Sequence, residues 1–340
     1  MTTAARAALF ASAIAFFLAP TANAETFVDL RPKWEKGESV HYVMTQHSDT
    51  SDASAPAGGT GNRQTKPSRS TAKPSSDNPL DAVPATSLLN TSMDQEIAFS
   101  LHVIDTNPET GSTVEMKYDR MKLHLKSGDM AVDFDSTKPN ANDPIAAALG
   151  GIVGTTLTIK MDASGNISSV TGGGDTLGLS ALLGGAAGGL PKDALGSITP
   201  ASGNPDGKAK LGDSWTNADQ LAGSLLGNVS MHTKHTVTSI RNGVALVAIH
   251  GDMEPGSQAD AGGFQVKSAT TEGQYDWNGG TGKLDRLTLS QAVVMQAPDL
   301  TGSSGKGSAM KSVSKTTIQR TDPAPPASAR SPARNSRPAQ

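Results

Sequence analysis

The sequence predicts a mainly β fold: a curved antiparallel sheet or open half-barrel from two similar halves, with short apolar helices across one face. Three observations predict it. Apolar and polar residues alternate with period two, as where Ile97, Phe99, Leu101 and Val103 interleave with Glu96, Ala98, Ser100 and His102. Clusters of Gly, Pro, Asn and Asp punctuate these runs at hairpin spacing. A short step occurs twice, as Gly37-Glu38-Ser39-Val40 and as Gly212-Asp213-Ser214-Trp215. Duplication explains that recurrence, and so does the habit of antiparallel sheets of reusing one turn chemistry.

Taken in order, Met1–Ala24 reads as a secretory signal. One positive charge, Arg6, precedes an apolar run over Ala7–Ala19, and Ala22-Asn23-Ala24 supplies a small-residue cleavage pattern. The run is too short for the roughly 20 residues that span a bilayer. Phe27–Glu38 leads into a strand at Ser39–Gln46, and Ser51–Ser87 is so poor in large apolar residues that disorder is expected. Strands follow from Met93 and over Thr113–Leu125, where a phase change at Asp119-Arg120 predicts a bulge. Met130–Phe134, Leu157–Met161 and Ile167–Val170 continue the pattern, the last two joined by a turn at Asp162–Asn166.

Pro144–Val153 has the composition of a short apolar helix with Pro near its start. Leu177–Ile198 holds two Gly pairs and reads as a weak, mobile helix or loop, the core of a Gly/Ala-rich segment over 177–205. A second β region comprises Met231–Ile240, Val244–His250, Phe264–Trp277, Leu284–Met295 and Ser308–Gln319. The expected organisation is a signal over 1–24, one β-rich domain over 25–320 and a disordered basic tail over 321–340.

Composition excludes several functions. The chain has no cysteine, so it has neither disulfides nor a thiol to carry a lipid anchor. Net charge is -3, and loss of Arg6 with the signal makes it -4, which gives no footprint for nucleic acid. No segment after the signal is apolar for long enough to span a membrane.

The chemistry-bearing residues resolve into structural roles. His232 and His235 are three apart, so a strand sends them to opposite faces and they share no metal. Asp129, Asp133 and Asp135 lack the spacing and terminal Glu of a calcium loop. Gly178-Leu179-Ser180-Ala181-Leu182 lacks the closing glycine of a nucleophile elbow. In Gly279-Gly280-Thr281-Gly282-Lys283, a leucine stands where a phosphate loop needs Ser or Thr. Tyr275 and Trp277 are two apart on one strand, hence on one face, as a core pair or a stacking platform.

Trp34–Tyr42, the Asp162–Val170 turn, the Gly212–Trp215 step and the Gly273–Leu287 hairpin together carry a resemblance. They resemble a family of exported bacterial β-rich proteins of unknown function, with a G-[DE]-S-W step midway and a late D-x-x-x-G-[KR]-L hairpin. The likeness covers most of Arg31–Gln319 outside the Ser/Pro-rich insertion. It implies no catalytic residues, and it is distantly similar to half-barrel carriers that move lipoproteins or lipids across the periplasm.

The expectation that follows is an exported protein, periplasmic or extracellular after cleavage near Ala24, that is not an enzyme and takes no cofactor or metal. Its expected ligand is a hydrophobic or amphiphilic small molecule or lipid, with Tyr275, Trp277, Ile145 and Ile152 as candidate contacts. The alternative is a structural or protein-interaction module that meets other envelope proteins.

Overall fold

In the computed structural model of this chain, residues 27–53, 90–128, 130–138, 149–172, 207–224, 227–255, 265–296 and 309–321 are described. The expected signal, the 54–87 part of the Ser/Pro-rich insertion, Ile145, Asp129, the 177–205 segment and residues 322–340 lie outside them.

The described residues form fourteen strands in two sheets. They are β1 (Phe27–Asp29), β2 (Ser39–Asp52), β3 (Thr91–Asn107), β4 (Gly111–Ser127), β5 (Met130–Asp135), β6 (Thr156–Met161) and β7 (Ile167–Gly172). The rest are β8 (Lys208–Lys210), β9 (Ser214–Ser224), β10 (Gly227–Arg241), β11 (Val244–Pro255), β12 (Gln265–Asn278), β13 (Lys283–Gln296) and β14 (Ala309–Thr321). The large sheet is antiparallel throughout and runs β7-β6-β4-β3-β2-β14-β13-β12-β11-β10-β9, with β5 also paired to β4. The second sheet is β1 paired with β8.

This corrects the expected curved sheet or open half-barrel from two similar halves with short apolar helices across one face. Leu149 and Gly150 are the only helical positions among the described residues. Past them the chain makes successive tight turns, with Ile152 N donating to Leu149 O (3.1 Å) and Thr155 N to Ile152 O (3.0 Å). Gly154, at φ +85°, then gives its N–H to Tyr118 O on the sheet. Gly150, Gly151 and Gly154 in six residues explain why no helix continues, because each costs helix about 1 kcal/mol against Ala. The small sheet packs on the large one: Val28, Leu30 and Ala209 join its core, and Trp277 Nε1 on β12 donates to Asp29 O at 2.9 Å.

The repeated step is a repeated turn. Glu38 N donates to Glu35 O and Asp213 N to Lys210 O, and the side chains of Glu38 and Asp213 each accept from the N–H three residues back. Gly37 and Gly212 sit at φ +84° and +88°, and each donates to a valine carbonyl, Val103 or Val237, whose N–H returns to Glu38 O or Asp213 O. The equivalence stops at these turns. β2 lies mid-sheet between β14 and β3, whereas β9 ends the sheet order and β4 forks between β5 and β6.

The alternation read from the sequence becomes one buried inner face. Val40, Tyr42 and Met44 on β2, Ile97 to Val103 on β3, and Leu287 and Ile318 on β13 and β14 all point to it. β4 keeps its apolar residues inward on both sides of a bulge at Asp119, because Ala98 pairs with Arg120 while Phe99 pairs with Tyr118. The extra residue reverses the parity, so Val114, Met116 and Tyr118 share a face with Met121 and Leu123.

The β12–β13 turn locks onto the segment before β2. Lys283 is only 2% exposed, and its Nζ donates to the carbonyls of Lys33 and Thr281, pairs with Glu38 at 3.1 Å and lies 4.3 Å from the Trp34 ring centre. Gly282 approaches so closely that an added Cβ would stand 2.4 Å from Lys33 N. The glycines that resembled a phosphate loop therefore serve a backbone clasp.

Candidate functional site

Tyr275 and Trp277 do share a face, the inner one, and each is 1% exposed. Trp277 has its indole N–H committed to Asp29, so it fastens the small sheet. Ile152 is buried at the β4 side of the sheet, against the same core as Tyr118. It is well removed from β12 in the strand order, and Ile145 lies outside the described residues.

The structure instead gathers Tyr275 with two residues from β9 and β10. Trp215 and His235 are directly paired across these strands, and their rings stack with centroids 5.3 Å apart and planes 9° apart. Tyr275 lies 6.0 Å from the His235 ring at a tilt of 57°. Asn217 Nδ2 is 3.4 Å from His235 Nε2. With the amide assigned as donor, Nε2 accepts and the ring proton sits on Nδ1. Trp215 Nε1, His235 Nδ1 and Tyr275 Oη are then three buried donors, and none has a hydrogen-bond partner.

Polar groups extend this cluster along the inner face. Thr233 and Thr271 are buried on the neighbouring row, with Gln291 Nε2 donating to Thr271 Oγ1 at 3.4 Å. Further along, Gln46 and Gln95 are 7% and 4% exposed. The inner face is thus apolar around Trp277, Leu287, Ile318 and Tyr42, and polar along the strip from Thr233 to Gln95. His232 is exposed on the other face, as period-two geometry requires.

Burial pushes the His235 imidazole down to about 4 and raises the Tyr275 phenol. His235 is ordinarily near 6.5, so between these values the unfolded chain holds a proton that the folded chain lacks. Stability therefore falls as pH drops from about 6.5 to about 4, by on the order of 3 kcal/mol from this residue. His47 acts with the opposite sign. Its imidazole is held above its usual value by hydrogen bonds to Asp94 and then Asp49, so its contribution is present below about 6.5 and lost above. Urea midpoints followed from pH 7 to pH 4.5 are expected to fall more steeply for the wild type than for His235→Phe. Parallel curves would remove this role for His235.

The outer face carries charge. Lys315, His47, Asp94, His124 and Asp133 are successive partners across β14, β2, β3, β4 and β5. They line an open cleft of about 700 Å³ together with Glu96, Lys122, Asp135 and Lys138. Most of these charges satisfy each other: His47 meets Asp94 at 2.7 Å, His124 meets Asp133 at 2.5 Å, and Glu96 takes Arg120 and Lys122. Such exposed cross-strand pairs stitch a solvated face. Asp133 and Asp135 point to separate partners, His124 and Thr137, and no cluster of three metal-ligating side chains occurs among the described residues.

Sequence reasoning had no signal for Trp215 and His235, because their pairing depends on the register of β9, whose alternation is weak. A tryptophan two residues into a strand was the available hint.

The chain matches the model of a family of unknown function (DUF6263) over residues 109–179. That stretch holds β4 to β7 and excludes the Trp215–His235–Tyr275 cluster. Among solved structures, the chain is similar to one described as lipid–protein interactions in lipovitellin, with 9% identity and a TM-score of 0.41. The likeness covers 86% of this chain and 26% of that one, so this chain spans about a quarter of its length. No curated protein matches the chain. Among the described residues no helix is long and apolar enough to cross a membrane.

Proposed function

We propose that this is an exported, non-enzymatic envelope protein that holds an amphiphilic ligand against the inner face of its large sheet. Export is the reading of the N-terminal sequence, where a charged start, an apolar run and Ala22-Asn23-Ala24 follow in order. The non-enzymatic part rests on motifs: neither the Ser180 segment nor the Gly279–Lys283 segment meets the spacing its chemistry needs.

One observation carries the ligand. An inner face that only packed would be apolar throughout, yet buried Gln46, Gln95, Thr233, Thr271 and His235 lie beside the hydrocarbon core. Of these, Gln95 Nε2 and His235 Nδ1 have no hydrogen-bond partner, and each such buried group costs about 1–3 kcal/mol unless something supplies one. An amphiphile matches both zones at once, its chain on the apolar part and its oxygen atoms on the strip.

Native purification followed by organic extraction is expected to recover bound lipid, and the stripped protein should bind a fluorescent fatty-acyl probe. An empty protein with no affinity for such probes would sink this reading. A second reading, an envelope interaction module, draws on β7. Ile167–Gly172 ends the sheet order and carries neither charge nor proline, the usual devices that discourage edge pairing. Reproducible protein crosslinks through β7 in cells, with no extractable ligand, would favour it.

A further inference from the structure

The geometry points to Trp215, His235 and Tyr275 as the polar anchor of that ligand, a three-donor site for an uncharged oxygen acceptor such as the carbonyl of an acyl ester. This inference rests on the amphiphile reading and narrows it to one place and one chemical class.

The donor count comes first. An indole N–H only donates, and with Asn217 Nδ2 assigned toward the ring, His235 carries its proton on Nδ1. A phenol both donates and accepts, but no acceptor or donor meets Tyr275 Oη. Trp215 stacks on His235 and Tyr275 tilts against it, with ring centres 5.3 Å and 6.0 Å apart in succession, so the three donors belong to one cluster of touching rings. Nothing within the trio accepts from another. The matching ligand atom is therefore an acceptor, and carbonyl oxygen has two lone pairs to offer.

The charge of the surroundings comes second. Inward-facing neighbours on β10, β11 and β12 are Thr233, Val237, Val247, Ile249 and Thr271, all uncharged. His235 is itself neutral at ordinary pH. A carboxylate or phosphate placed here would be buried without a countercharge, which is strongly unfavourable, whereas a neutral ester oxygen asks only for hydrogen bonds. The surrounding valines and isoleucine suit the acyl chain that follows the carbonyl.

The cluster is also unusual as pure architecture. Single buried polar atoms without a partner occur elsewhere, as at Tyr42 Oη and Trp34 Nε1. Here three of them belong to rings in mutual contact, while Trp277 Nε1, two residues from Tyr275, meets Asp29 O. The trio is buried to a similar degree and left open.

Tyr275→Phe tests the site, with Trp215→Phe as the second variant. The probes are a pyrene-labelled fatty-acid methyl ester, the corresponding free acid at pH 8, and a pyrene-labelled alkane of equal length. Wild type is expected to bind the ester more tightly than the acid. Tyr275→Phe should weaken ester binding about fivefold to tenfold, the effect of one hydrogen bond, and leave alkane binding unchanged. The ligand-free variant should be no less stable than wild type to urea, because the hydroxyl it lacks had no partner. Equal loss for ester and alkane, no loss for either, lower stability of ligand-free Tyr275→Phe, or tighter binding of the acid would each overturn the anchor. Wild-type protein that binds none of the probes would overturn the amphiphile reading itself, a result distinct from all four.

Discussion

Lys283→Ala is expected to lower the unfolding free energy by about 3 kcal/mol, read from urea denaturation followed by tryptophan fluorescence. The ammonium is nearly inaccessible and serves four groups at once: the Lys33 and Thr281 carbonyls, the Glu38 carboxylate and the Trp34 ring. Alanine strips all four and leaves a void beneath the clasp that joins the β12–β13 turn to the segment before β2. Lys283→Met separates charge from packing. Burial holds the lysine below its ordinary value, with Glu38 only partly opposing it, so the charged form is already disfavoured in the fold. Methionine fills much the same volume without that burden, and replacing a buried ion by an apolar side chain is often close to neutral. Its loss should be less than half that of alanine. The sign with pH follows from the same direction. Just below pH 10.5 the unfolded lysine keeps a proton that the folded one sheds, so wild-type stability rises with pH there and Lys283→Met lacks the rise. Equal losses for Ala and Met would show that the ion itself, rather than the filled space, holds the clasp.

The strands most legible in the sequence were those with strict alternation. Ile97, Phe99, Leu101 and Val103 on β3 emerge buried, as do Leu287, Val293 and Met295 on β13, with Leu289 half-buried against the same core. The phase change at Asp119 announced its bulge, because an extra residue must reverse side-chain parity. β1 and β8 were not legible: three residues give too few alternations to define a period, and their pairing joins positions some 180 apart in the chain. Of the expected helix at Pro144–Val153, residues 144–148 lie outside the described residues, and beyond Gly150 the glycines, given too little weight against composition, turn the chain. The clasp was hidden for another reason. Lys283 in a Gly-rich turn has the local look of a solvated loop, and only the distant partners Lys33, Trp34 and Glu38 make it a core residue. The Trp215–His235–Tyr275 cluster was half legible. Tyr275 stood out as an aromatic on a strand, but its neighbours arrive from β9 and β10 through sheet order, which a single sequence does not specify.

Gly111→Ala is expected to cost more than 3 kcal/mol, against about 1 kcal/mol for Gly128→Ala, and the contrast isolates steric contact from backbone preference. Both glycines have positive φ, +105° and +59°. An alanine at Gly128 meets open space, so its cost is the left-handed backbone alone. At Gly111 an added Cβ would stand 1.9 Å from Met161 O and 2.7 Å from the Asp162 Cα, both main-chain atoms that cannot swing aside. The β3–β4 turn cannot retreat either, since Asn107 Oδ1 accepts from Glu109 N and Thr110 N and fixes its shape. The strain must therefore pass to β6, whose Met161 pairs with Ser112 at the start of β4. Hydrogen exchange should accelerate across Thr156–Met161 and Ile167–Gly172 in Gly111→Ala, while amides on β10 to β12 keep their protection until global unfolding. If both variants lost the same stability, or if β6 kept wild-type protection, the close approach of this turn to β6 would not be what orders the β6–β7 hairpin.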